Sequence, residues 1–229
     1  MVAFSFQFLY HYPFELVCDA HLSRFPSCVH LPALKECEIL EDKRCASTGR
    51  RCIRRRLVMG TELPKWVPGL PKLDFEQTAT ISTADRHMRI HSKNLFLTDQ
   101  VNADEICEYS AHHMNTQWTL FTCSGSLHIV NFFGLEELCE KTALREYITC
   151  ARMGRVADAK NLNALIMSDP TWKGLPLWDV DAQKSDLNQP SPDAEQSSAQ
   201  RGPCQDEPEE EDRVAVEGAV SDSSAAEDT

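Results

Sequence analysis

The chain has 229 residues, enough for one domain plus a tail or at most two small domains. Its net charge of −12 is unevenly distributed, because residues 181–229 carry 14 acidic and 3 basic side chains while residues 1–180 carry 21 and 20. A nearly neutral folded part argues against a general nucleic-acid-binding protein, whose domain would be strongly basic.

The ten cysteines do not follow a metal-binding pattern. Zinc sites normally show paired short spacings, and no CxxC pair is present, so the sequence predicts no metal and no other cofactor. No convincing secretory signal is present, which argues for buried thiols in a reducing compartment rather than a disulfide framework. No run approaches the ~20 apolar residues of a membrane span, so a soluble protein is expected.

The chain begins with a predicted strand and a predicted helix. Residues 4–12 are rich in aromatic side chains, which is typical of a strand. Residues 13–25 carry apolar side chains at helical spacing between two prolines, and Arg24 lies at the C-terminal end, where the helix dipole favours a cation. A second strand is predicted over residues 34–41, and a turn over residues 42–49 leads to a third strand.

The third strand carries an arginine on its apolar face. Period-two alternation places Ile53, Arg55 and Leu57 on one side and leaves Arg54 and Arg56 on the side that faces solvent. A buried guanidinium is costly unless an anion or hydrogen-bond acceptors meet it. Two interpretations stay open: an internal ion pair or strand-edge position, or a cation that receives an anionic head group inside an apolar cavity.

A short segment bounded by prolines follows the third strand. Residues 62–70 read ELPKWVPGL and form a predicted helical turn in which Leu63 and Trp66 share a face, with Val67 beside them. Such an apolar flap next to a basic face suits the mouth of a lipid-binding cavity. It equally suits a plug in an ordinary core.

A meander of strands comes next. The predicted strands cover residues 75–83, 87–98, 105–112 and 118–132. Turn-prone residues separate them, and Gly125 within the last strand predicts a bulge or bend that helps the sheet to curve.

The longest helical pattern opens at Gly134 and is closed by Pro170. A helix of roughly 30 residues spans about 45 Å, enough to cross a whole curved sheet. The predicted fold is therefore α+β: a helix-grip-like curved antiparallel sheet of about six or seven strands, with a short lid helix and a long C-terminal helix that enclose an apolar cavity.

The composition also predicts the domain organisation. Residues 1–168 form the predicted domain, residues 169–180 a linker, and residues 181–229 an acidic tail. Because Gln, Ser, Pro, Asp and Glu dominate the tail, it cannot bury enough apolar surface to fold and is expected to be disordered. No GxSxG, phosphate-binding glycine loop or HExxH is present, so the sequence predicts no enzyme.

Three segments resemble the PRELI family of lipid-transfer domains. They read HYPFELVCDAHLSRFPSC at 11–28, ELPKWV at 62–67 and SLHIVNFFGLEELCEKTALREYITCARMGR at 126–155, in this order and at suitable spacing. The resemblance covers residues 4–168. In detail the chain looks like the PRELI domain that precedes CRAL-TRIO and GOLD domains in larger lipid-binding proteins, with the acidic tail in their place.

The resemblance implies non-catalytic transfer of one phospholipid between membranes, of the phosphatidic acid or phosphatidylserine class, with transient contact to a membrane surface. Stand-alone members imply the mitochondrial intermembrane space and a small cysteine-rich helical partner, whereas the multidomain proteins imply the cytoplasm or Golgi. The alternative function is a regulatory or protein-interaction module on the same fold that does not transfer lipid.

The resemblance also assigns roles to residues. Arg24 of the RFP motif and the inward-facing Arg55 match head-group ligands, and Arg152 retains one positive charge near the end of the long helix. The lid residues named above match the family's lid motif. The chain departs from the family at Met59, Glu62, Cys150 and Met153, where members often carry Lys or Asn.

Overall fold

The structure of the protein, a computed structural model, describes residues 1–60, 72–132, 134–169, 171 and 176–177. The elements are β1 (Val2–Tyr10), α1 (Phe14–Leu22), β2 (Leu34–Arg44), β3 (Arg51–Gly60), β4 (Lys72–Ser82), β5 (His87–Asn94), β6 (Val101–Ala111), β7 (Thr119–Ile129) and α2 (Glu136–Ser168). The lid with Leu63, Trp66 and Val67 and the tail over residues 181–229 lie outside the described residues, and the linker is described only in part. Within the described part, no helix is long and apolar enough to cross a membrane.

The seven strands form one antiparallel sheet in the order β1-β7-β6-β5-β4-β3-β2. Consecutive strands from β2 to β7 are neighbours in the sheet, and β7 also pairs with β1. The β2–β3 pair has two register shifts, whereas the pairs from β3 to β7 run in continuous register. The curved seven-stranded sheet with its long C-terminal helix confirms the predicted α+β helix-grip-like fold.

The predicted boundary between β5 and β6 is wrong by several residues at each side. β5 ends at Asn94 rather than at residue 98, and β6 begins at Val101 rather than at residue 105. The amide of Asn94 donates to the carbonyls of Phe96 and Val101, each at 2.8 Å, and its oxygen accepts from the backbone N–H of Ala103. The side chain of Asn94 makes hydrogen bonds that the backbone of a neighbouring strand would otherwise make. The strand β5 therefore ends at this residue, before the end of its hydrophobic pattern.

Gly125 does not form the predicted bulge. Its pairing with Phe4 on one side and Glu105 on the other continues the register of β7 without a shift. A Cβ at this position would lie 2.4 Å from the Phe4 ring and 2.6 Å from the carbonyl oxygen of Asp104. The glycine is required because a ring and a backbone carbonyl approach it closely.

The two helices cover one face of the sheet and contact each other. α1 packs on β6, and α2 packs on α1, β7 and β1. The core between them is lined by side chains from both layers, including Phe14, Leu16, Val17, Phe121 and Leu162. α2 has 33 residues, which agrees with the predicted length of roughly 30. A helix of that length connects the β1–β7 edge of the sheet to α1.

Candidate functional site

Arg55 lies on the inner face of β3, as the alternation predicts. Its side chain is 1% exposed, whereas the neighbouring Arg54 is exposed on the outer face. Its Nε donates to Oε1 of Gln77 at 2.8 Å, and its guanidinium carbon lies 3.3 Å from the centre of the Phe25 ring. Burial lowers the pKa of Arg55 to about 10, and the charge of Arg24 contributes to the shift. The side chain is therefore still a cation near neutral pH.

Arg24 joins the end of α1 to the middle of α2. Its Nη2 lies 2.5 Å from Oδ2 of Asp158, and the same nitrogen donates to the carbonyl oxygen of Gly154. A Cβ at position 154 would lie 3.4 Å from the Arg24 guanidinium. This is ordinary van der Waals contact, so the approach of the buried guanidinium to the backbone of α2 does not by itself require a glycine.

Asp158 is the buried carboxylate at the centre of this region. It is 0% exposed, and its Oδ2 accepts from the Tyr10 hydroxyl at 2.8 Å and lies 3.7 Å from Nε of Arg155. The Arg155 guanidinium also stacks on the Phe121 ring, with 3.8 Å from Cζ to the ring centre. Neither charged residue was predicted from the sequence. A signal existed, because positions 155 and 158 interrupt the apolar stripe of α2 ahead of Leu162.

We call Arg24, Arg55, Arg155 and Asp158 the arginine cluster. It contains three guanidinium groups and one carboxylate, so its charge is not balanced among these residues. The Nε of Arg24 and the Nε and Nη1 of Arg155 are buried without a hydrogen-bond partner. The pKa of the adjacent His21 is held well below 6.5, first by burial and then by the three arginines. The imidazole is therefore neutral near pH 7 and adds no charge.

A polar row leads from this cluster across the inner face of the sheet. Arg55, Gln77, Ser92 and Glu105 lie directly opposite one another on β3, β4, β5 and β6. Gln77 Nε2 donates to Ser92 Oγ at 3.0 Å, and the Tyr147 hydroxyl donates to Glu105 Oε2 at 2.5 Å. The row was not predicted from the sequence, because its members are neighbours only through the strand register.

Arg152 does not join the other predicted head-group ligands. It lines a groove of about 320 Å³ whose described lining lies entirely on α2. The lining residues are Lys141, Leu144, Arg145, Ile148, Thr149 and Arg152. The structure thus places Arg24 and Arg55 together inside the protein and Arg152 on a separate basic surface. The head-group role of all three stays a prediction.

A family model described as the PRELI-like family matches residues 15–166. The chain belongs to the PRELI-like family. This finding confirms the resemblance that the three sequence segments indicated. The matched region extends from the first turn of α1 to the last turn of α2, so it includes all four residues of the arginine cluster.

Two of the curated relatives of this PRELI-like chain have names that are used for PRELI-domain proteins. It is 33% identical to "Protein real-time" of Drosophila melanogaster over 150 residues, which are 64% of this chain and 23% of that protein. It is 26% identical to "Protein slowmo homolog" of Dictyostelium discoideum over 139 residues, which are 59% of this chain and 60% of that protein. The chain thus spans about a quarter of the length of the first relative.

Solved structures show the same fold at low sequence identity. The Zhui aromatase/cyclase of a Streptomyces species matches 76% of this PRELI-like chain and 99% of its own length. The TM-score is 0.50 and the sequence identity is 14%. This likeness shows the helix-grip architecture alone.

Proposed function

We propose that this PRELI-like chain binds one phospholipid of the phosphatidic acid or phosphatidylserine class and transfers it between membranes without changing it chemically. The phosphate lies at the arginine cluster, and the acyl chains lie between the sheet and α2. The family and the fold support lipid binding or transfer in general. The charge of the arginine cluster supports the anionic head group.

The excess of buried positive charge carries this proposal. A buried cation without a counter-charge costs several kcal/mol, so three guanidinium groups around one carboxylate favour binding of an anion. The unpaired N–H groups of Arg24 and Arg155 are suitable donors for phosphate oxygens. Each such charge-assisted hydrogen bond contributes roughly 1.5–3 kcal/mol.

The acyl chains supply most of the affinity. Each methylene that leaves water contributes ~0.8 kcal/mol, so two chains outweigh any single hydrogen bond. We propose that the segment with Leu63 and Trp66 opens to admit the chains and then covers them. The Trp66→Ala variant should therefore slow transfer between liposomes. An unchanged transfer rate would contradict the lid role.

We propose that the basic groove on α2 contacts an anionic membrane during lipid exchange. Arg145 and Arg152 lie on either side of Ile148, a combination that suits phosphate groups with acyl chains beneath them. An Arg145→Glu/Arg152→Glu double variant should bind less to vesicles that contain phosphatidylserine. Equal vesicle binding by the double variant and the original protein would contradict this contact.

Native mass spectrometry of the full chain purified from cells tests the central proposal. We expect one phospholipid per chain, whose extracted mass identifies the head group. Incubation with liposomes of known lipids should load the protein and return the same lipid unchanged, as expected of a carrier and not of an enzyme. Protein that is empty after purification and stays empty after incubation would favour the protein-interaction alternative.

We propose the mitochondrial intermembrane space as the site of action, with the cytoplasm and Golgi as the alternative. The resemblance to stand-alone family members supports the intermembrane space. The similarity to "Protein real-time" supports the cytoplasm and Golgi. The location can be tested in cells that express the tagged full chain. Mitochondria isolated from these cells are treated with protease, intact and after swelling, and the protection of the chain is compared. The small cysteine-rich helical partner stays a prediction, which affinity purification from the same cells addresses.

A further inference from the structure

Four side chains that the lipid proposal does not use meet between the sheet and α2. Cys107 on β6 and Cys123 on β7 occupy directly opposite positions, and their sulfur atoms lie 3.4 Å apart. Oε1 of Glu105 lies 3.2 Å from the Cys107 sulfur. The Tyr147 hydroxyl from α2 lies 3.2 Å from the Cys123 sulfur and donates to Glu105. We call these four residues the thiol cluster.

The spacing of the thiol cluster is close to that of a metal site. One ligand atom each from Glu105, Cys107 and Cys123 can be chosen so that all lie within 4.8 Å of one another. With zinc–sulfur bonds of about 2.3 Å and a zinc–oxygen bond of about 2.0 Å, tetrahedral geometry requires about 3.8 Å between sulfurs and about 3.5 Å from sulfur to oxygen. The distances from the Cys107 sulfur to the Cys123 sulfur and to Oε1 of Glu105 are a few tenths of an ångström shorter than these values, so small side-chain movements would admit the ion.

The charges around the thiol cluster also fit a divalent cation. Two thiolates and one carboxylate carry −3, so a divalent ion leaves a net charge of −1. The guanidinium of Arg155 acts electrostatically on Cys107, and two of its nitrogens have no hydrogen-bond partner. This cation therefore compensates the remaining negative charge.

We propose that Glu105, Cys107 and Cys123 bind a thiophilic divalent cation of the zinc type. The Tyr147 hydroxyl acts as a positioning group, because its hydrogen bond to Oε2 orients the carboxylate so that Oε1 faces the ion. The fourth ligand position is open to water. Binding releases the two thiol protons to solvent, and no electron transfer is involved. The ion joins β6 to β7 and, through Tyr147, to α2.

Cobalt titration of the full chain tests this site. The protein is reduced, stripped with a chelator and titrated with Co²⁺, which reports thiolate ligation through sulfur-to-metal absorption and tetrahedral geometry through its visible bands. We expect one equivalent of Co²⁺ with both signals, displaced by Zn²⁺. Zn²⁺ should also raise the thermal unfolding temperature, since a ligand that binds only the folded state stabilises it.

The variants separate this site from the other cysteines. Cys107→Ser and Cys123→Ser should each weaken binding and leave about half of the sulfur-to-metal absorption per bound ion, because one thiolate remains, and the double variant should lose this absorption. Glu105→Gln should retain the absorption with weaker binding, and Tyr147→Phe should weaken binding about 10–100-fold. The matched control is Cys52→Ser on β3, which should bind like the original protein. Circular dichroism verifies that each variant is folded.

Three outcomes would overturn the proposal. One is folded protein that gives no thiolate absorption at any Co²⁺ concentration. Another is absorption that persists in a Cys107→Ser/Cys123→Ser double variant, which would place the metal elsewhere. The third is a Cys107–Cys123 disulfide that peptide mass spectrometry finds in protein purified from cells, since that bond would remove both sulfur ligands.

Discussion

The arginine cluster and the thiol cluster lie on the same side of the sheet, where the helices pack, and have opposite character. The first contains three cations and one carboxylate, and the second contains one carboxylate, two thiols and a phenol. The polar row from Arg55 to Glu105 connects them across four strands, a distance of about 14 Å at ~4.8 Å per strand. One interior can therefore hold an anion beside Arg55 and a cation beside Glu105, and Arg155 acts electrostatically on both clusters.

Breaking the charge balance of the arginine cluster should have the largest effect. The Asp158→Asn variant leaves Arg24 and Arg155 buried without their carboxylate, so we expect the free energy of unfolding to fall by about 3–5 kcal/mol. Urea denaturation measures this change. Glu137→Gln, which removes an exposed ion pair with Lys141, should change it by at most about 1 kcal/mol. Equal effects of the two variants would contradict the central role of Asp158.

Two adjacent arginines provide a matched test of the head-group site. Arg55→Gln removes a buried cation, and Arg54→Gln removes an exposed one from the opposite face of the same strand. Loss of a charge-assisted hydrogen bond of roughly 1.5–3 kcal/mol predicts about 10–100-fold weaker binding of phosphatidic acid by Arg55→Gln. A fluorescent-lipid displacement assay measures the affinity. If both variants bind equally well, Arg55 does not contact the head group.

The three arginines also predict a pH dependence through His21. Its folded-state pKa lies well below 6.5, so below that pH the unfolded chain binds a proton that the folded protein does not. The stability that depends on a neutral His21 is therefore complete above the unfolded pKa and is lost as the pH falls below it, by on the order of 1 kcal/mol between about pH 7.5 and about pH 5.5. Urea denaturation at both values should show that His21→Gln loses less stability than the original protein. An identical loss would contradict this origin.

The smallest predicted effect is a difference in the rate of alkylation between an exposed cysteine and a cysteine of the thiol cluster. Hydrogen bonds from Ser47 and Thr48 lower the pKa of the exposed Cys45 thiol to about 6. In contrast, the hydrogen bond between Cys107 and Cys123, together with burial, raises the pKa of Cys107. Iodoacetamide near pH 7 should therefore alkylate Cys45 faster than Cys107, because the thiolate is the reactive form. Time-resolved peptide mass spectrometry measures the order. The Ser47→Ala variant should react more slowly at Cys45, and an unchanged rate would contradict the hydrogen-bond effect.

Much of the fold could be predicted from sequence periodicity, and the errors have physical causes. The inward position of Arg55 followed from its place between Ile53 and Leu57, because side chains alternate along any strand. The β5–β6 boundary was wrong because the side chain of Asn94 replaces backbone hydrogen bonds there. The prediction of a bulge at Gly125 was wrong, because the glycine is required by the close approach of the Phe4 ring and the Asp104 carbonyl on the neighbouring strands.

The site was predicted only in part. The family motifs pointed to Arg24, but they did not show that its partner is Asp158, 134 positions later in the chain. Arg155 was missed although it interrupts an apolar helical stripe. The thiol cluster was missed because metal-site motifs depend on short spacings along the chain, whereas Cys107 and Cys123 are brought together by strand pairing.

The sequence by itself determined the order and type of most elements, the inward face of β3 and membership in the PRELI-like family, because these properties depend on local periodicity and contiguous motifs. The tertiary structure decided which charged and sulfur-bearing side chains meet. That choice depends on strand register and on how α2 packs against α1 and the sheet. A shift of one residue in the strand register or in the position of α2 would place a different side chain in each cluster.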